Sequence, residues 1–423
     1  MAKLSITDLD TVRKRVFIRV DFNVPLKDGA IADDTRIRAS IPTIQYAVAH
    51  GATAIVASHL GRPKGKPNPQ LSLRPVSTRL AELIRRPVAF AGDCVGEEVK
   101  SIINRVHGSG GGVVLLENLR FHPEEEKNDP QFSAALASLA DLYVDDAFGA
   151  AHRAHASVEG ITHWLPQAAA GLLMEDELRY LGHVLEAPER PFIAIMGGAK
   201  VSDKIDVIDN MLGGRSGQVR QAGEVARSHG LVDQLLIGGA MAYTFFKARG
   251  IAIGRSLVED DKLDEARKME KEARDRDVRL LLPTDHVVTE RLEAGAPQEV
   301  LPVESSPSSS SAGAPAIGDR MGVDIGPATI AAYAAAIRGA KTVVWNGPMG
   351  VFEIEDFAKG TNAVARAVAS VEGTTIVGGG DSIAAIKKAG LAERITHIST
   401  GGGASLEFLG GRTLPGVAAL TDR

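Results

Sequence analysis

The chain has 423 residues, 44% of them hydrophobic and 24% charged, an ordinary globular composition with length enough for two domains of roughly 200 residues. Its 48 basic and 53 acidic residues leave a formal net charge of −5, which excludes a general attraction to nucleic acid or to an anionic membrane surface. A lone cysteine, Cys94, rules out an intrachain disulfide and fits a reducing compartment. The opening MAKLSITDLD has no apolar signal-peptide core, and no apolar run approaches the ~20 residues of a membrane span. The expectation is a cytoplasmic protein with no membrane and no nucleic-acid partner.

Short β-branched runs alternate with helical patterns, the signature of βα units around parallel sheets. In the first part strands are predicted at Val16–Val20, Ala54–Ser58, Val113–Leu116 and Leu142–Asp145. Each runs into charged or hydrogen-bonding residues. Val20 leads to Asp21 and Asn23, with Arg36 shortly after; Ser58 leads to His59 and Arg62; Leu116 leads to Asn118 and Arg120; Asp145 leads to DAFGAAHRAHAS, with Arg153 between His152 and His155. One arginine on a loop is usually a solvated charge. Four from the carboxyl ends of four parallel strands share one rim, and a guanidinium fork suits phosphate or carboxylate. The ligand expected there carries at least two anionic groups. No fourth ligand falls at metal-site spacing with the three histidines. The run Glu124–Glu126 reads as a solvated loop, and Trp164 and Trp345 read as core residues.

Between Pro166 and Pro188 the leucines have helical spacing, which predicts a connector between two domains. Beyond it strands are predicted at Phe192–Met196, Leu235–Ile237, Thr342–Trp345, Thr375–Val377 and His397–Ser399. Two stretches read as insertions: Gly213–Leu231, and Ser305–Ala316, a low-complexity segment expected to be a mobile surface loop.

Four strands of this half run straight into a glycine turn and a helix, at IAIM-GGAK, LLI-GGA, TIV-GGGD and IST-GGGA. Asn346–Glu353 (NGPMGVFE) is a fifth turn after a strand. Glycine lets backbone N–H groups approach a ligand, and the following helix adds its unpaired N–H groups. A single such turn is as well explained by sterics. The series, with a lysine in one turn and an aspartate in another, points to a phosphate-bearing ligand. There is no G-x-x-x-x-G-K-[ST], no dinucleotide fingerprint and no protein-kinase set.

In chain order, RVDFNVP, SHLGRP, LENLRFH, DAFGAAHRAHAS, GGAKVSDK, WNGPMGVFE, GGGDS and STGGGASLEFL resemble the phosphoglycerate kinase family over nearly the whole length. The resemblance implies an α/β fold of two doubly wound, parallel-sheet (Rossmann-like) domains. These would span 1–172 and 189–404, joined by a helix over 173–188, with about 405–423 returning to the first domain. It implies reversible transfer of a phosphoryl group between 1,3-bisphosphoglycerate and ADP, giving 3-phosphoglycerate and ATP with Mg²⁺, as in glycolysis, gluconeogenesis or carbon fixation. It also implies a monomer that works by domain closure. Asp21, Asn23, His59, Arg62, Arg120 and Arg153 would hold 3-phosphoglycerate, with Arg36 against its reacting carboxyl. Lys200 and Lys204 would meet the nucleotide phosphates, Asp381 the Mg²⁺, and Gly379, Gly380 and Ser382 the phosphate end. Glu353 would hold the ribose, and Gly238, Gly239, Gly322 and Pro348 would line the nucleoside pocket. Catalysis would fall to Arg36, Lys200, Gly379 and Gly380. Ser382 and Ala240 depart from the commoner Thr and Gly of the family. Another acyl-phosphate kinase and a non-catalytic nucleotide-binding scaffold are the competing readings.

Overall fold

The computed structural model describes every residue except Met1, Asp28 and the stretches 214–228 and 304–316. Most of both predicted insertions lies outside the described residues. The chain folds as two compact units, Met1–Gly182 with Thr413–Arg423, and His183–Arg412.

The first unit is built on six parallel strands in the spatial order Val88–Phe90, Gly112–Leu115, Thr53–Ala57, Arg15–Val20, Leu142–Asp146, Ala168–Ala170. The central strands are apolar and buried nearly throughout, as expected of a sheet covered on both faces. Alternation along Arg15–Val20 sends Val16, Ile18 and Val20 into one core layer and Phe17 and Arg19 to the other face. Helices Thr35–Ala49 and Arg74–Ile84 cover the first face with Ile37, Ile44, Val76 and Leu80.

The second unit repeats the plan in the order Arg279–Leu281, Gln234–Ile237, Phe192–Met196, Thr342–Asn346, Thr374–Gly378, His397–Ile398. An antiparallel sheet of Gln298–Pro302, Asp285–Thr289 and Met321–Ile325 is added to it. Each parallel sheet starts in the middle, fills one side, and then returns to fill the other. The order therefore reverses between Arg15–Val20 and Leu142–Asp146 in one unit, and between Phe192–Met196 and Thr342–Asn346 in the other. Ligands of open α/β sheets bind beyond the carboxyl ends of the strands at such reversals.

The nine predicted strands are present to within one residue at each end. Absent from that reading were the edge strands Val88–Phe90, Ala168–Ala170 and Arg279–Leu281, the whole three-stranded antiparallel sheet, and the short antiparallel pair Leu26–Lys27 and Ala30–Ile31. Three-residue strands, one of them AAA, carry too little pattern to stand out, and Gln298–Pro302 is polar and mostly exposed. The connector helix is Leu172–Glu186, and the division between the units falls inside it, at Gly182 and His183. The returning segment begins at Thr413, later than the expected 405. Helix Gly403–Leu409 belongs to the second unit, where Asn210 Nδ2 donates to the Leu409 carbonyl at 2.6 Å. In the first unit, Leu4 N donates to the Thr421 carbonyl at 2.8 Å and Gly416 N to the Ala151 carbonyl at 2.8 Å.

Candidate active site

Arg15–Val20 ends at Asp21, whose Oδ2 accepts from Arg36 Nη1 at 2.9 Å. The same nitrogen reaches the Asn23 carbonyl at 3.2 Å. Arg36 lies in the first turn of helix Thr35–Ala49, and these two acceptors hold its guanidinium while its side chain stays 34% exposed. Asn23 Oδ1 accepts from Gly61 N at 2.9 Å, and the Gly61 carbonyl accepts from Arg120 Nη1 at 2.9 Å. Residues beyond three different strands thus form one hydrogen-bonded chain. Arg120 is buried, and its Nε lies 3.3 Å from Glu126 Oε1. Burial lowers its pKa, partly offset by Glu126.

Arg19, fully buried, was not singled out by the sequence reading. Its Nε donates to Ser157 Oγ at 2.8 Å, and its Nη2 lies 3.1 Å from His59 Nδ1. Arginine has only donors, so His59 Nδ1 must accept and the ring is neutral. Burial, then Arg19, Arg120 and Arg36, drive the His59 pKa far down. His155 is likewise depressed, to about 3, by burial first and then by Arg19, Arg120 and Arg153. Arg153 is half-buried, and Arg62 is exposed beside Gly61. Glu125, expected on a solvated loop, is fully buried, accepting from Ser157 N at 3.0 Å and Ser157 Oγ at 2.6 Å. The correction has a cause: an arginine inside an apolar strand needs buried acceptors and a nearby negative charge. Trp345 is in the core, but Trp164 is 54% exposed.

Beyond the second sheet the backbone does more than the side chains. Gly197 N donates to the Asn346 carbonyl at 2.9 Å, Gly198 N to the Pro348 carbonyl at 2.9 Å, and Gly239 N to the Met349 carbonyl at 3.0 Å. Loops this close leave no room for a Cβ. One on Gly239, which has φ +67°, would lie 2.6 Å from Gly198 N, and one on Gly347 would lie 2.2 Å from the Gly197 carbonyl. Gly238 is filled by Met349, whose Sδ would be 2.4 Å away. These glycines fit the loops to one another. Gly380, Gly402 and Gly403 differ, since a Cβ on any of them would meet nothing within 4 Å. The backbone there is open to a ligand.

Gly379, with φ +86°, caps helix Gly380–Lys388. Against it lies Asn346, the last residue of its strand, whose Nδ2 is buried and without a hydrogen-bond partner. A buried, unmatched donor next to a helix N-terminus is an anion-binding feature, and its signal in the sequence was its place at the start of NGPMGVFE. Ser382 is buried with its Oγ accepting from Gly347 N at 2.6 Å, which locks this helix to the loop after Asn346. Lys204 is buried; burial lowers its pKa while Asp203 and Asp381 oppose the shift. Lys200, Asp381 and Glu353 are exposed, and Pro348 is buried. Gly322 lies in the antiparallel sheet, where a Cβ would fall 1.4 Å from Tyr243 Oη. That hydroxyl lies 2.8 Å from His286 Nδ1, so Gly322 makes room for a buried tyrosine.

The family model for phosphoglycerate kinase matches residues 6–412. The phosphoglycerate kinase of Moorella thermoacetica is 56% identical over 423 residues, covering 100% of both chains. That of Solibacter usitatus is 57% identical over 425 residues, covering 99% of this chain and 100% of the other. Among solved structures, the phosphoglycerate kinase of Coxiella burnetii superposes with a TM-score of 0.83 at 39% identity, covering 99% of this chain and 98% of that one.

Proposed function

Because the chain belongs to the phosphoglycerate kinase family, we propose that the hydrogen-bonded arginine chain beyond the first sheet holds the glycerate and the open glycine turn at Gly379–Gly380 holds the nucleotide phosphates. The reaction is reversible phosphoryl transfer between 1,3-bisphosphoglycerate and ADP, giving 3-phosphoglycerate and ATP. The observation that carries the division of labour is Arg36: anchored by Asp21 and the Asn23 carbonyl, it still keeps a third of its side chain exposed.

In the ATP-consuming direction the nucleophile is the substrate carboxylate, with an ordinary pKa of ~3.5–4. It is ionised at neutral pH, so no general base is needed. The neutral His59 and His155 agree with that: near the glycerate they serve as hydrogen-bonding groups. The barrier is electrostatic, an anion meeting a polyphosphate, and such transfers are catalysed by alignment and by positive charge around the equatorial oxygens. Arg36 supplies charge at the carboxylate end. Lys200, Lys204, the N–H groups of Gly379 and Gly380, and Asn346 Nδ2 supply donors at the phosphate end. Arg62, Arg120 and Arg153, with Asp21, Asn23 and His59, fix the glycerate and its phosphate. Glu353 reaches the ribose, and Gly238, Gly239, Gly322 and Pro348 shape the nucleoside side by the close packing they allow.

Asp381, exposed in the first turn of helix Gly380–Lys388, fits a Mg²⁺ site. A single carboxylate beside nucleotide phosphates is the usual donor set for that ion. When bound, the ion neutralises phosphate charge. Reacting atoms must come within about 3–3.5 Å, so we include closure of the two units in the cycle, with the connector helix as hinge. No helix among the described residues is long and apolar enough to cross a membrane, and we take the working form to be a cytoplasmic monomer.

The test is a coupled assay with 3-phosphoglycerate, MgATP, glyceraldehyde-3-phosphate dehydrogenase and NADH. NADH oxidation that needs Mg²⁺ and both substrates is expected. A folded, ATP-binding protein that left NADH untouched would overturn the proposal.

A further inference from the structure

Beyond the edge strand Val88–Phe90 of the first sheet, and not among the residues assigned to either substrate, Asp93, Cys94 and His122 bring a carboxylate oxygen, a thiol sulfur and an imidazole nitrogen within 4.8 Å of one another. We infer that these three side chains form a binding site for a single Zn²⁺-class ion, with one position left to water. Carboxylate, thiolate and imidazole together suit a borderline-soft divalent cation, and three protein ligands with an open fourth position is a known zinc arrangement.

The geometry supplies a floor, a rim and a support. Cys94 is the floor, 1% exposed, its Sγ donating to the Glu117 carbonyl at 3.0 Å. The rim is Asp93 and His122, with side chains 56% and 26% exposed, which leaves an entry path from solvent. His122 Nε2 lies 2.6 Å from Asp93 Oδ1, so the two candidate ligand atoms already face the same small space. The His122 ring stacks on Phe132 at 4.9 Å between centroids, and such outer contacts hold a ligating ring in place. Asp93 and Cys94 follow the strand Val88–Phe90, while His122 follows Leu119–Phe121. An ion would therefore staple two loops.

Binding balances simply. The Cys94 S–H bond breaks and its proton goes to solvent as the S–metal bond forms. The Asp93–His122 hydrogen bond is replaced by one oxygen–metal and one nitrogen–metal bond, the ring proton moving to Nδ1.

Metal-free, full-length protein is titrated with Co²⁺ as a spectroscopic substitute for Zn²⁺. Cys94 is the sole cysteine, so a thiolate-to-cobalt charge-transfer band can arise nowhere else, and Co²⁺ at a nucleotide site does not produce it. The expected result is one band saturating at one ion per chain, bleached by Zn²⁺, with Zn²⁺ also raising the melting temperature. Cys94→Ser should abolish the band, and His122→Asn and Asp93→Asn should each weaken Co²⁺ affinity at least ~10-fold. Only pale octahedral bands in the parent would overturn the inference. So would a charge-transfer band with unchanged affinity in both His122→Asn and Asp93→Asn, which leave the buried thiol intact and decide the matter even if Cys94→Ser does not fold.

Discussion

At the first sheet the positive charge sits on arginine side chains, from Arg19, fully buried within its strand, and Arg120, 4% exposed, to Arg62 in the open. Beyond the second, backbone N–H groups and a helix start join Lys200 and Lys204, and the turn at Gly380 stands open on the side where a Cβ would be. The difference follows from what each must bind. A glycerate is small and branched, so fixed guanidinium forks define where its anionic ends lie. A polyphosphate is a flexible chain that needs close contact along its length, which only a backbone without side chains permits. The first construction has an energetic cost: buried cations need buried acceptors and neutral neighbours. Glu125, Ser157 and the neutral His59 are that support.

If this is right, the largest effect should come from a residue that touches no ligand. Arg19→Met removes the cation between His59, Ser157 and the buried Glu125. It should destabilise the fold by about 3–5 kcal/mol, the scale of breaking a buried charge network. Urea unfolding of the full chain measures it. A loss below ~1 kcal/mol would mean the first site does not depend on its buried layer.

Arg36→Ala tests the charge that is presented to substrate. It should lower kcat at least ~100-fold, the loss of a transition-state charge donor, with little change in unfolding midpoint, since the side chain is partly exposed. Unchanged turnover would remove Arg36 from catalysis and leave it as a partner of Asp21.

Gly380→Ala sharpens the other half. An added methyl meets nothing within 4 Å, so stability should hold. The methyl would nonetheless stand where a phosphate approaches, and the KM for ATP should rise about 10-fold. Gly239→Ala is the control: it forces a Cβ to 2.6 Å from Gly198 N at a φ of +67° and should lower stability as well. Equal behaviour of the two variants would erase the distinction between open and packing glycines.

Much of this was legible in the chain. Parallel strands covered on both faces leave continuous apolar runs, and their carboxyl ends were marked by a change to Asp, Asn, His, Arg or Gly. Arg36, Arg120 and Arg153 therefore fall on one rim by sequence pattern alone. What could not be read was which of these residues face each other and which are buried. Arg19 looks like an ordinary strand residue, and Glu125 like one acid in a solvated run, because their pairing spans 106 positions of chain and is created only by the fold. The glycine turns look alike for a related reason: sequence records the missing Cβ, while only the neighbouring loop decides whether a ligand or another backbone fills the space. Three-residue edge strands lack the length for a period to appear.

The smallest effect concerns acid. His155 is buried and neutral with its pKa depressed to about 3, against ~6.5 in the unfolded chain. Its contribution to stability is therefore present above pH ~6.5 and is lost as the pH falls toward 3, because the unfolded state takes up the proton first. Arg19, Arg120, Arg153 and His152 oppose that proton, while Glu125 Oε1, 3.8 Å from Nδ1, favours it. Asp145 and Asp146 nearby are raised by burial to about 6 and about 8 and act in the opposite sense, losing stability as pH rises. The parent profile alone is thus ambiguous, and the difference between parent and His155→Gln isolates the histidine. Between pH 7 and pH 5.5 the parent should lose about 1 kcal/mol more than the variant. Parallel profiles would mean that folded and unfolded chains bind the His155 proton equally well, with Glu125 offsetting the arginines, and the first site would then be less strictly arranged around fixed arginine charge than the comparison holds.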